Sequence, residues 1–125
     1  MKINKIIIAE PSPIISSGLL KYLEDINQLN IVSIVDNIDD LKDKMIIHNP
    51  DMLIINPLVL GYSNHSLIKQ FIQNNPSTYF IALISTYIDK SFLKYFKEII
   101  ELNETKQKVV NKIINLINNS DESSS

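Results

Sequence analysis

The 125-residue chain contains no cysteine, no arginine and no tryptophan, and only two glycines. Without cysteine it can form no disulfide, thiolate nucleophile or CxxC redox pair, and the commonest structural zinc sites are excluded. Without arginine it lacks the planar side chain that most often reads guanine or clamps phosphate, so we do not expect this chain to bind nucleic acid directly. Two glycines supply neither a GxGxxG dinucleotide turn nor a P-loop, so we expect no nucleotide or flavin cofactor.

The sequence also lacks a long hydrophobic segment. The first apolar stretch already contains Glu10 and is too short for a signal peptide or a membrane span, which favours a soluble, cytoplasmic protein. The formal net charge is only -2, and every basic residue other than histidine is a lysine. The length fits one domain that can bury a sizeable core without disulfides or metals.

Short apolar runs alternate with helical patterns along the chain. Strands are predicted at residues 3–9, 31–35, 52–55, 79–84 and 99–102. Helices are predicted between and after them, at about residues 13–24, 38–48, 65–75, 89–97 and 106–118. This alternation predicts an α/β fold, with a parallel sheet, right-handed crossovers and helices on both faces.

The run Met52-Leu53-Ile54-Ile55 is apolar on both strand faces, which is typical of a central strand of such a sheet. It ends at Asn56. Ligands of open α/β sheets bind outside the carboxyl ends of the strands, so Asn56 is a candidate site residue, as are Glu10, Ser85 and Thr86 at the ends of other strands. Asp51 begins the same strand, about 16 Å from Asn56 by strand rise, and we expect it to lie outside the site.

The chain offers little for nucleophilic catalysis. His65, at the start of the third predicted helix, is the one histidine that could approach the strand ends, and no glycine-flanked serine accompanies it. We therefore expect no enzyme of the Ser-His-Asp type.

Three segments, in this order, resemble the receiver domain of bacterial response regulators: IIIAEPSPIISSGL around Glu10, PDMLIIN ending at Asn56, and IALISTY containing Ser85 and Thr86. The Gly18-Leu19 pair is most similar to LuxR/NarL-like receivers, which precede a helix-turn-helix domain. The resemblance covers about residues 2–118. It implies a flavodoxin-like (CheY-like) doubly wound sheet of five parallel strands in the order 2-1-3-4-5, in a receiver-like domain at 1–118. The polar composition of residues 119–125 predicts a disordered tail or linker.

The resemblance also implies a chemistry that this sequence departs from. In the family, an aspartate at the end of the third strand accepts a phosphoryl group from a histidine kinase; an acidic pair holds Mg²⁺, a Ser or Thr contacts the phosphoryl group, and a lysine ends the fifth strand. Here Asn56 replaces the aspartate and Pro11 the second acidic residue, and Leu102 stands near the expected lysine. Ser85, followed by Thr86, is retained. The resemblance thus implies a degenerate receiver, with no metal site beyond a weak one at Glu10.

Two functional hypotheses follow. In the first, the chain is a phosphorylation-independent interaction module of a transcription regulator, which contacts protein partners and reaches DNA only through a helix-turn-helix domain outside this chain. In the second, it is a small-molecule-binding or enzymatic flavodoxin-like domain, in which Glu10, Asn56, Ser85 and Thr86 line a polar pocket.

Two helices carry apolar side chains that could contact a protein partner or a second copy of the chain. The candidate interface residues are Phe92, Tyr95, Phe96, Val110 and Ile114. The same residues could instead cover the edge of the sheet, and the sequence leaves both possibilities open.

Overall fold

A computed structural model describes residues 5–61, 65–85 and 91–123 of the protein. Its sheet has five strands: β1 (Lys5–Ala9), β2 (Asn30–Val35), β3 (Met52–Ile55), β4 (Tyr79–Ile84) and β5 (Glu98–Glu101). All neighbouring strands are parallel and their order is β2-β1-β3-β4-β5. The predicted flavodoxin-like architecture and strand order are confirmed.

Four α-helices and two 3-10 helices connect the strands. The α-helices are α1 (Pro13–Leu23), α2 (Ile38–His48), α3 (His65–Gln73) and α4 (Lys106–Ser123), and the 3-10 helices span Pro57–Leu60 and Ser91–Tyr95. Within the described ranges, none of these helices is long and apolar enough to cross a membrane.

The prediction of a fourth α-helix at 89–97 is wrong. Within the described residues, this segment forms only the 3-10 helix Ser91–Tyr95. The backbone N–H of Phe96 bonds to the carbonyl of Leu93 at 3.0 Å, which is the tighter 3-10 spacing. The next N–H, that of Lys97, already bonds to the carbonyl of Phe80 in β4 at 2.8 Å. Sheet pairing therefore takes over before an α-helix can extend.

The last helix differs from the sequence prediction in the other direction, because α4 continues to Ser123 instead of ending near residue 118. No proline or glycine occurs between residues 106 and 123, so nothing in this stretch interrupts the backbone hydrogen bonds of a helix. The division into a domain at 1–118 and a tail at 119–125 stays a prediction.

The core consists of two layers, one on each face of the sheet. On β1, Ile6 and Ile8 pack in the layer under α1 and α4, whereas Ile7 and Ala9 pack in the layer under α2 and α3. All four residues of β3 are fully buried. The prediction that this strand is covered on both faces is confirmed, and the strand is thereby fixed in the middle of the sheet.

Gly18, in the middle of α1, makes no close packing contact: a Cβ built on it would meet no heavy atom within 4 Å. Because glycine inside a helix costs about 0.5–1 kcal/mol relative to alanine, Gly18→Ala should raise the free energy of unfolding by that amount. Gly61 is the matched control. It is equally uncrowded, but its φ of +71° disfavours any L side chain, so Gly61→Ala should lower the free energy of unfolding by about 1 kcal/mol.

Urea denaturation of the two variants measures both changes. Destabilisation by Gly18→Ala would mean that α1 is held against a neighbour more tightly than the structure shows.

Candidate functional site

The carboxyl ends of β1, β3 and β4 place three polar residues at one edge of the sheet. Glu10 directly follows β1, Asn56 directly follows β3 and Ser85 directly follows β4. Because Ala9 pairs with Ile55, Glu10 and Asn56 leave the sheet side by side. This is the edge at which the sequence predicts the candidate site.

Glu10 and Asn56 form a closed hydrogen-bonded pair. The amide Nδ2 of Asn56 donates to Oε1 of Glu10 at 2.9 Å, and the backbone N–H of Ser12 donates to Oε2 at 2.6 Å. The Glu10 residue is only 2% exposed. Both oxygens of a buried side chain thus have a donor, so the pair satisfies the hydrogen-bonding needs of this carboxyl group without a metal or ligand.

The local sequence fixes the orientation of the Asn56 side chain. Its Oδ1 accepts from the backbone N–H of Leu58 at 3.0 Å and thereby caps the 3-10 helix that begins at Pro57. With Oδ1 engaged in the cap, Nδ2 is the atom that is directed towards Glu10. The capping bond and the Glu10 bond therefore reinforce one another.

The residues around Glu10 do not fit a magnesium ion, which requires several oxygen ligands in near-octahedral geometry. Pro11 offers no side-chain ligand. Asp36 and Asp40 line the neighbouring hollow with Glu10, but both accept from Nδ2 of Asn37, at 2.7 and 2.9 Å. In the part of the chain that the structure describes, no three acidic or histidine side chains form a group that could hold a metal.

A separate cleft of about 220 Å³ lies beside Asn56 and Ser85. Most of its lining is apolar and comes from the starts of helices and the ends of strands: Ile15, Pro57, Leu58, Ile84 and Leu102. Leu102 directly follows β5 and is 43% exposed, so an aliphatic side chain occupies this part of the edge. No lysine is among the described residues that line the cleft.

The polar pocket of the second hypothesis stays a prediction. Glu10 lines the hollow next to Asp36, whereas Asn56 and Ser85 line the apolar cleft. Thr86, the fourth predicted pocket residue, lies outside the described residues.

His65 and Asp51 take ordinary structural roles. The Nε2 of His65 lies 3.1 Å from the Oγ of Ser91, and its ring packs edge-on against Phe92 at 5.9 Å between centroids. Neither contact is with a carboxylate. Asp51 accepts from the backbone N–H of Lys5 at 2.9 Å, at the opposite end of the sheet from Asn56, where the sequence analysis expected it. The Ser91–His65 contact was not predicted, because it depends on how α3 and the second 3-10 helix pack together.

The structure separates the five candidate interface residues. Phe92 is fully buried in the layer under α2 and α3, so of the two possibilities left open it covers the sheet and offers no contact surface. Tyr95 and Phe96 are half-buried on that layer, whereas Val110 and Ile114 are half-buried on the layer under α4. An interface role for these last four residues stays a prediction.

An ion pair that was not predicted from the sequence holds the connection between β5 and α4. Lys112 Nζ donates to Glu104 Oε1 at 2.7 Å and to the carbonyl of Ile99 at 2.6 Å. Burial alone raises the pKa of Glu104. The hydrogen bonds from Lys112 and from the backbone N–H of Glu101, together with the positive charges of Lys112 and Lys108, outweigh this effect, so the pKa lies below its ordinary value.

The fold is that of response-regulator receiver domains, and the structural neighbours are receivers of LuxR/NarL-type regulators. The REC domain of AraT from Geobacillus stearothermophilus superimposes with a TM-score of 0.81 at 12% identity, covering 97% of this chain and 98% of that one. The receiver domain of NarL from Mycobacterium tuberculosis gives 0.74 at 12% identity, covering 94% and 98%. Salmonella typhimurium RcsB superimposes with a TM-score of 0.78 at 22% identity, and the match covers 92% of this chain and 61% of the RcsB chain.

Because all of these identities are below 25%, the likenesses establish the fold and nothing beyond it. The chain spans 59% of another RcsB chain that it matches. No protein-family model matches the sequence, and no curated protein matches it in a sequence comparison.

Proposed function

We propose that this chain is a regulatory domain that uses the receiver fold without phosphorylation at the end of the third strand. It acts through contacts with protein partners, as part of a transcription regulator, and is not an enzyme. The observation that carries this proposal is the hydrogen bond from Asn56 to Glu10. A phosphorylation site would need both positions, and here the two side chains bond to each other.

The chemistry of phosphoryl transfer supports the proposal. Acceptance of a phosphoryl group requires a nucleophilic atom with an available lone pair, and it is favoured by positive charge around the transferring group. The Asn56 amide nitrogen is a hydrogen-bond donor here, with its lone pair delocalised into the carbonyl group, so it is not such a nucleophile. Neither the hollow at Glu10 nor the cleft at Ser85 has a cation among its described lining residues.

The closed pair gives the domain a mode of action that needs no phosphoryl group. The Asn56–Glu10 pair links the ends of β3 and β1 by side chains alone, so this link between the strand ends does not depend on a metal. Control then comes from the partner or from the amount of protein. Salmonella RcsB is described as interacting with DNA, and by analogy we propose that a helix-turn-helix domain outside these 125 residues makes the DNA contacts.

Titration with Mg²⁺ and beryllofluoride tests this proposal. Amide NMR signals of Glu10, Asn56 and Ser85 should show no saturable shift up to millimolar Mg²⁺ and beryllofluoride, because both oxygens of Glu10 are engaged and Asn56 provides no carboxylate. The isolated REC domain of RcsB, which has been solved in the presence of this phosphomimetic, is the positive control.

A saturable shift centred on those three residues would contradict the proposal. It would show that the site binds a metal and a phosphoryl analogue despite the amide.

A further inference from the structure

An apolar groove lies between α1 and the connection from β5 to α4. Its floor consists of buried side chains, including Leu83 and Ile100, which are each 2% exposed. Ile14 and Leu102 stand at its rim and are 84% and 43% exposed. The groove measures about 220 Å³, which is below the roughly 300–1,000 Å³ of pockets for drug-sized ligands and therefore suits a smaller molecule.

Gly18 keeps this groove open. It lines the groove from the exposed side of α1, and a Cβ at this position would meet no heavy atom within 4 Å. A glycine weakens the interior of a helix, and here the absence of a side chain is not compensated by close packing. Its structural consequence is free space beside the apolar floor.

One carboxylate oxygen beside the groove has no hydrogen-bond partner among the described residues. Glu104 lines the groove; Oε1 of this residue accepts from Lys112 and from the N–H of Glu101, but Oε2 is buried and is the unpartnered oxygen. Buried carboxylate oxygens are normally paired, since an unpaired one loses its hydration without compensation. Glu101 is a second acidic residue in the lining, and none of the described lining residues is a lysine, so no lining side chain is positively charged. Lys112 reaches Glu104 from outside the lining.

We propose that this groove binds a small apolar molecule that carries a protonated amine. The hydrocarbon part covers Leu83, Ile100 and the gap at Gly18, and after a small rotation of the Glu104 carboxylate the ammonium group donates to Oε2. The groove is distinct from the strand-end site: it contains neither Glu10 nor Asn56, although Ile15 and Leu102 line both the groove and the cleft beside Asn56.

Three probes with the same hydrocarbon chain separate the contribution of the charge from that of the apolar surface: n-hexylamine, n-hexanol and n-hexanoate. Each is titrated into the isotope-labelled 125-residue chain at neutral pH, and amide shifts are followed. We expect n-hexylamine to bind in the millimolar range, with shifts clustered on α1 and on residues 99–105. Hexanol should bind about tenfold more weakly, because its hydroxyl can donate to the carboxylate but brings no positive charge, and hexanoate should not bind.

Three variants locate the site. Gly18→Leu should abolish binding, because the new side chain fills the groove while a better helix former maintains α1. Glu104→Gln should weaken the binding of n-hexylamine about tenfold and leave the affinity for hexanol unchanged. Asp43→Asn, on the exposed side of α2 across the sheet, removes a carboxylate elsewhere and should change nothing. Thermal unfolding verifies that each variant is folded, and Gly18→Leu tests the site even if Glu104→Gln is unstable.

The proposal is overturned if hexanol binds as tightly as n-hexylamine, or if Gly18→Leu leaves the affinity unchanged. It is also overturned if no probe binds in the millimolar range, which is the result expected when only a protein partner covers the groove.

Discussion

Replacing Asn56 with aspartate should destabilise the protein by about 2–3 kcal/mol at neutral pH. Aspartate retains the oxygen that accepts from Leu58 N–H, so the cap of the 3-10 helix survives. It loses the N–H that lies 2.9 Å from Glu10 Oε1 and sets a second carboxylate against one that is 2% exposed. Water cannot screen that repulsion, because the first carboxylate is buried.

Asn37→Asp is a matched control for this change. The amide of Asn37 also donates to two carboxylates, those of Asp36 and Asp40, and its Oδ1 also caps a helix. All three residues are exposed, so the same substitution should cost less than about 1 kcal/mol there.

Urea denaturation of Asn56→Asp, Asn37→Asp and the wild type at pH 7 measures these penalties. An equal stability of Asn56→Asp and wild type would contradict the buried Asn56–Glu10 pair.

The sheet could be predicted from sequence because each strand is determined by residues that are neighbours in the chain. Met52 to Ile55 are apolar without interruption, and such a run is stable only with layers on both faces, which the structure provides. The alternation of strands with helical patterns then leaves few topologies for a parallel sheet. The second 3-10 helix could not be predicted in this way, because the bond from Lys97 to Phe80 that stops it joins residues far apart in sequence.

The same distinction applies to the candidate site. That Glu10, Asn56 and Ser85 would meet at one edge follows from their positions after parallel strands. That Asn56 donates to Glu10 across 46 residues does not, since the donor's direction is set by the Leu58 cap and by the register of β1 with β3. Whether Phe92 is exposed or buried stayed open for a related reason: its spacing in the chain is compatible with both an exposed and a core position.

The domain should also be indifferent to small-molecule phosphodonors. Asn56 presents an amide where the reaction needs a carboxylate, both oxygens of Glu10 are already bonded, and Leu102 places an aliphatic side chain at the end of β5. Asn56→Asp alone should restore little, because it supplies the nucleophile but neither the metal ligands nor a cation.

Intact-mass measurement after incubation with acetyl phosphate and Mg²⁺ tests the central claim most directly, with the RcsB REC domain treated in parallel. We expect the wild-type chain to keep its unmodified mass throughout, with no species heavier by one phosphoryl group. A stable phosphoryl adduct on the wild-type chain, mapped to Asn56 or to a residue beside it, would contradict the claim that this receiver fold works without phosphorylation.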